Sequence, residues 1–154
     1  MSVGREYGHF GGTPRPRGSQ NAVIGTVEYL ALHEDSVARL VNTARAEAGL
    51  PPLRQDDRLR AAARAHSKDM AVRDFCAHVT PDGVTPLDRM LATGCPTPGG
   101  ENVARGQENA HIVMQAWMDS PGHRANVLSP LFGLIGVGAY FGRGGPCWTQ
   151  NFGY

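Results

Sequence analysis

Lysine is almost missing from this 154-residue chain: Lys68 is the only one among fifteen cationic residues. With 20 glycines and 11 prolines beside abundant alanine, that bias points to a G+C-rich genome more than to a function. Excess charge is missing too. The net charge is +1, so no global field draws in nucleic acid or an anionic membrane surface, and no nucleic-acid partner is expected. The stretch from Pro130 to Gly142 carries no charge, but it is too short and too glycine-rich to span a bilayer. The first twenty residues show no apolar run after their first charges, so no secretion signal is expected in the chain as it stands. Only three cysteines occur, Cys76, Cys95 and Cys147, which permit one disulfide and one remaining thiol. Cys76 with Cys95 is the preferred pair. None has Cys-x-x-Cys spacing, which argues against a zinc knuckle. His-Glu-x-x-His, Gly-x-Ser-x-Gly, a phosphate-binding loop and a dinucleotide fingerprint are all missing.

What is present reads as one globular domain behind a leader. Hydrophobic content of 41% against 19% charged residues fits a chain that buries a core. Residues 1–34 are read as a flexible leader with an open helical segment at 21–32, and residues 35–154 as the domain. Asp35 or Ser36 can cap a helix with Val37, Leu40, Val41, Ala44 and Ala48 on one stripe, ended by Gly49 and Pro51-Pro52. Residues 56–74 predict a second helix with Leu59, Ala62, Ala63, His66 and Met70 along one face. A loop with a Pro-Asp-Gly turn fills 75–86, a short helix 86–93, and a glycine- and proline-rich loop leads through 100–106. A fourth helix covers about 108–118. The stretches 134–141 and 147–152 read as strands joined by a Gly-Arg-Gly-Gly-Pro hairpin loop. Helices first and strands last give an α+β class.

Seven pieces then occur in order: L-V-N-T-A-R-A-E-A-G-L-P-P-L (40–53), A-H-S-K-D-M-A (65–71), H-V-T-P-D-G-V-T-P-L-D-R (78–89), G-E-N-V-A-R-G (100–106), A-W-M-D-S-P-G-H-R-A-N-V-L (116–128), I-G-V-G (135–138) and W-T-Q-N-F-G (148–153). In these the chain resembles the CAP superfamily, the cysteine-rich secretory protein, antigen 5 and pathogenesis-related 1 group, in its bacterial SCP-like branch. The resemblance covers residues 35–154. It implies a three-layer α-β-α sandwich around a small, largely antiparallel sheet. It also implies a cleft of two histidines and two acids, which map to His78, His123 and Glu101, with Ser120 where the second acid would stand. Asp119 is adjacent but about 100° away around a helix.

Ser120-Pro121-Gly122 breaks a helical run just before His123, and such a break can aim a side chain. His78, His123 and Glu101 are of the types that Zn²⁺ and similar divalent cations accept, with His78 and His123 as the ligands and room for water. The same trio can do acid–base work, or can pin loops as a polar cluster in which His123 and Glu101 bond each other. Asn102 joins the cleft as a loop brace. His66, on the apolar stripe, is read as a core histidine, and His111 as part of a polar helix face.

The expected activity is that of a non-enzymatic domain whose cleft holds a divalent cation or a small, lipid-like or peptide ligand. A metal-dependent hydrolase and a scaffold recognising proteins through loops 94–100 and 141–147 are the alternatives. The resemblance implies an extracellular or cell-surface location, and a monomer with a small hydrophobic ligand or a protein as partner.

Overall fold

A computed structural model describes residues 18–154 of the chain, with side chains from residue 27 onward. Of the leader expected at residues 1–34, residues 1–17 lie outside the described residues and the rest falls within a helix. Helix α1 runs from Gly18 to Glu47, so the helix expected from Asp35 starts earlier. The cause is visible at Glu34. It is 1% exposed, its carboxylate takes Arg60 and Arg64, and it accepts the backbone N–H of Ala139. The helix therefore continues backwards past any cap at Asp35 or Ser36. At its other end Gly49 has a φ of 74°, and the Leu50 N–H returns to the Arg45 carbonyl at 2.8 Å, which closes the helix before Pro51.

The remaining described elements are β1 (Arg54–Gln55), α2 (Asp57–Val72), α3 (Pro86–Ala92), β2 (Pro98–Arg105), α4 (Ala110–Asp119), α5 (Pro121–Val127), β3 (Leu134–Gly142) and β4 (Gly145–Gly153). The four strands lie in the order β1-β3-β4-β2. Only the β1–β3 pair is parallel. The class is α+β, an α-β-α sandwich. One core joins Val37, Val41, Val113, Trp117, Val137 and Trp148 from α1, α4 and the sheet; a smaller one joins Leu59, Ala62, Met90 and Leu134 across α2, α3 and β3. Among the described residues no helix is long and apolar enough to cross a membrane.

The short I-G-V-G sequence explains how tightly the second layer sits. A Cβ on Gly136 would run into the backbone at Leu59 and Arg60, and one on Gly138 into that at Ala63 and Arg64. Helix α2 thus rests directly on the β3 backbone. Asp56 caps it by accepting from the N–H groups of Arg58 and Leu59. Ser67 donates to the Gly138 carbonyl at 2.9 Å and lies 2.8 Å from the Thr149 hydroxyl.

Two expectations are corrected. Residues 98–105, read as loop from their glycines and polar side chains, form edge strand β2, paired with β4 from Glu101↔Asn151 to Arg105↔Cys147. The glycines instead mark an irregularity in register between Pro98 and Glu101. The expected Cys76–Cys95 disulfide is not formed. All three thiols are free, because Cys95 is buried against Met90 and Leu59 while Cys76 lies in an exposed loop.

Candidate functional site

The Ser-Pro-Gly break resolves into a joint between two helices. Ser120 ends α4 and starts α5, its N–H bonded to the Trp117 carbonyl and its own carbonyl accepting from the Arg124 N–H at 2.8 Å. Pro121 takes the first helical position, where its missing N–H costs nothing. The Ser120 hydroxyl makes no cap bond to α5. The new axis puts His123 in the first turn of α5, half-buried.

Strand β2 holds both sides of the cleft. The Glu101 side chain is 2% exposed and points toward the α2 layer. His78 places Nδ1 2.9 Å from its Oε1, and the Arg89 guanidinium donates to Oε2 at 2.8 Å and to Oε1 at 3.1 Å. Oriented so that donors meet acceptors, the Asn151 amide donates to Oε2 at 3.0 Å. Arg89 also donates to the His78 carbonyl at 2.8 Å, so one guanidinium fixes both ends of the pair. The next residue, Asn102, is fully buried on the other face. Its amide donates to the His123 carbonyl at 3.1 Å and to Gln150 Oε1 at 2.9 Å, and its oxygen accepts from Asn126 at 2.9 Å. Arg45 fastens the far end of α5 by donating to the Val127 and Ser129 carbonyls.

The electrostatics separate the two imidazoles. The hydrogen bond to Glu101 raises the pKa of His78 against an opposing effect of burial. Burial lowers that of His123, and charge on His78 lowers it further. Because a carboxylate only accepts, His78 must donate through Nδ1, which leaves Nε2 with its lone pair for a ligand when the ring is neutral.

A cysteine-rich secretory protein family model, the CAP model, matches residues 38–152. The chain belongs to the CAP family. This CAP domain is 38% identical over 133 residues to the uncharacterized protein YkwD of Bacillus subtilis strain 168, covering 86% of this chain and 51% of the relative. Its fold matches an extracellular protein containing an SCP domain from Bacillus anthracis with a TM-score of 0.75 and 28% identity, over 92% of this chain and 45% of the other. An outer surface protein from Borrelia burgdorferi shares the fold at a TM-score of 0.70 and 22% identity, over 76% of this chain and 88% of the other. The CAP domain thus spans about half the length of the first two relatives.

Of the five residues expected together, His78 and Glu101 bond side chain to side chain, while Asn102 holds the His123 carbonyl from the other face of the sheet. Ser120 serves as the joint that delivers His123. Glu101 bonds His78 and Arg89 rather than His123, which corrects the expected His123–Glu101 contact. With both its oxygens engaged, Glu101 orients a histidine and is not a free ligand. Among the described residues, no group of three or more His, Cys, Asp or Glu side chains is arranged to hold a metal ion. Arg89, Asn126, Gln150 and Asn151 escape a reading of the sequence. The only sequence signal for Arg89 is its place at the end of the 78–89 motif, and for the amides their neighbourhood to the motif residues. An apolar pocket of about 290 Å³ lies elsewhere, between α1, α2 and β3. It is lined by Val27, Leu30, Ala65, Ala139 and Tyr140 beside Arg64 and Lys68, and shares no residue with the histidine cleft.

Proposed function

We propose that this CAP domain is a non-enzymatic, exported-type module whose cleft captures a divalent cation weakly through His78 and His123, water completing the coordination shell. The observation that carries the reading is the His78–Glu101 hydrogen bond. Histidines that ligate metals characteristically donate their second ring nitrogen to a carboxylate, which fixes the tautomer and raises the basicity of the free nitrogen. Two imidazoles, with no third ligand grouped with them among the described residues, favour an exchangeable ion over a resident one. Zinc is the natural first candidate, with other borderline-soft divalent ions behind it. The binding reading is favoured over a hydrolase because Glu101, the only carboxylate in the cluster, is already bonded by His78, Arg89 and Asn151. The extracellular and outer-surface descriptions of two relatives support an exported location.

Calorimetric titration with Zn²⁺ tests the proposal. The wild type should bind, and the His78→Ala/His123→Ala variant should not. Equal binding by both would put the ion somewhere else.

A second reading rests on the apolar pocket, where Lys68 suits the anionic head of a small amphiphile, Arg64 being already held by the Glu34 carboxylate that also lines the pocket. Displacement of a fluorescent fatty acid, weakened by Ala65→Trp, would support it; unchanged displacement in that variant would remove it.

A further inference from the structure

We infer that His66 is a positioning residue of the cleft: a neutral imidazole protonated at Nε2 that holds the Ala77 carbonyl and so sets where His78 meets Glu101. This role goes beyond the cation reading but rests on it for its functional meaning.

His66 lies on α2 and is 1% exposed. Its Nε2 sits 2.8 Å from the Ala77 oxygen, one residue before His78. A carbonyl only accepts, so Nε2 must carry the proton. Nδ1 is buried with no partner. A charged ring would bury a second N–H with nothing to receive it, and this burial outweighs the pull of the nearby Glu101 and Asp69 carboxylates, which the Arg89 cation partly offsets. Burial pushes its pKa down, in keeping with this. The Phe75 ring packs edge-on against the imidazole at 5.8 Å, which orients it from the same loop.

The consequence is geometric. Loop 75–85 has few anchors near His78. One is Arg89, which takes the His78 carbonyl; another is His66, which takes the preceding one. Two consecutive carbonyls held by side chains from α2 and α3 fix the two peptides that flank the His78 Cα, and with them the direction of the His78 side chain. Remove the α2 anchor, and Arg89 is the side chain left holding the backbone beside His78 while its ring meets Glu101 at 2.9 Å.

The test compares wild type with His66→Leu and His66→Gln. The glutamine amide can still donate to Ala77, whereas leucine cannot. Long-range ¹H–¹⁵N spectra at alkaline pH, where the rings are neutral, read the tautomers of His66 and His78 directly. In the wild type His66 should be the Nε2–H form and His78 the Nδ1–H form. In His66→Leu the His78 signal should become a tautomer mixture and zinc affinity should fall roughly tenfold or more; His66→Gln should restore both. An unchanged His78 tautomer in a folded His66→Leu protein overturns the inference. So does a wild-type His66 protonated at Nδ1, a result that needs no variant to fold. If His78 responds to His66 while the wild type binds no zinc, the positioning role stands and the cation reading fails. If wild type and His66→Leu bind zinc equally, the positioning role fails and the cation reading stands.

Discussion

Glu101 and Asn102 are consecutive on strand β2, yet their side chains leave opposite faces of the sheet and each holds a different histidine: Glu101 the His78 ring, Asn102 the His123 backbone. Because β2 is an edge strand, layers from both faces meet beside it. The two-residue period of a strand thus joins a loop of one layer to a helix of the other.

The Glu101–Arg89 pair is buried, with side chains 2% and 10% exposed. Glu101→Gln leaves the guanidinium without its anion, and stability should fall by about 3–5 kcal/mol in urea unfolding. The His78 pKa should drop toward its ordinary value in the same variant. A loss below about 1 kcal/mol would mean the pair behaves like a surface one.

Gly138→Ala should be destabilising by about 1–3 kcal/mol or more, since its methyl meets the α2 backbone rather than a movable side chain. Gly122→Ala, where nothing lies within 4 Å, serves as the control. Equal unfolding midpoints for the two variants would contradict the close seat of α2.

Histidine titration should make the fold weaker on mild acidification. His78, raised in the fold, contributes stability that is complete below the unfolded value near about 6.5 and is lost as pH rises through its folded value. His33, His66 and His123, lowered by burial, contribute stability present above about 6.5 and lost as pH falls through their folded values. His78 is 49% exposed, so solvent mutes its share. Three against one, the balance favours loss between about pH 7 and 5, above the range of the lowered Asp56, Asp69, Asp82 and Asp88. His123→Gln should shrink that loss and His78→Gln should deepen it. Urea midpoints across the range check this, and a midpoint that rises on acidification refutes it.

Thiol counting tests the unpaired cysteines. Native protein should show one slowly reacting thiol, the exposed Cys76, whose pKa burial of its sulfur pushes up. Unfolded protein should show three. A single reactive thiol after unfolding would reveal a disulfide.

Much of this is legible in the sequence, for physical reasons that differ by element. The α2 stripe is readable because Leu59, Ala62, Ala63, His66 and Met70 recur at helical spacing, and all are buried. The strands at 134–142 and 145–153 are readable from apolar residues bounded by glycine. Strand β2 is not, because its pairing with β4 is a long-range contact and its local composition is that of a turn. The start of α1 is hidden because Glu34, charged in sequence, is buried by arginines twenty-six and thirty residues away. In the cleft, the histidines and Glu101 come from motif positions. Arg89 closes the 78–89 motif, but nothing local distinguishes a buried arginine from a solvated one. The His66 contact is foreseeable only as burial, because its partner is a backbone carbonyl that any residue could supply.

The proposal that His78 and His123 share one ion is tested most directly by following all histidine ring signals during a zinc titration of the wild type. The rings of His78 and His123 should shift together along one saturation curve, while those of buried His66 and exposed His111 stay in place. Movement of only one of the pair, or of His111 in place of either, would show that the two imidazoles do not share a ligand.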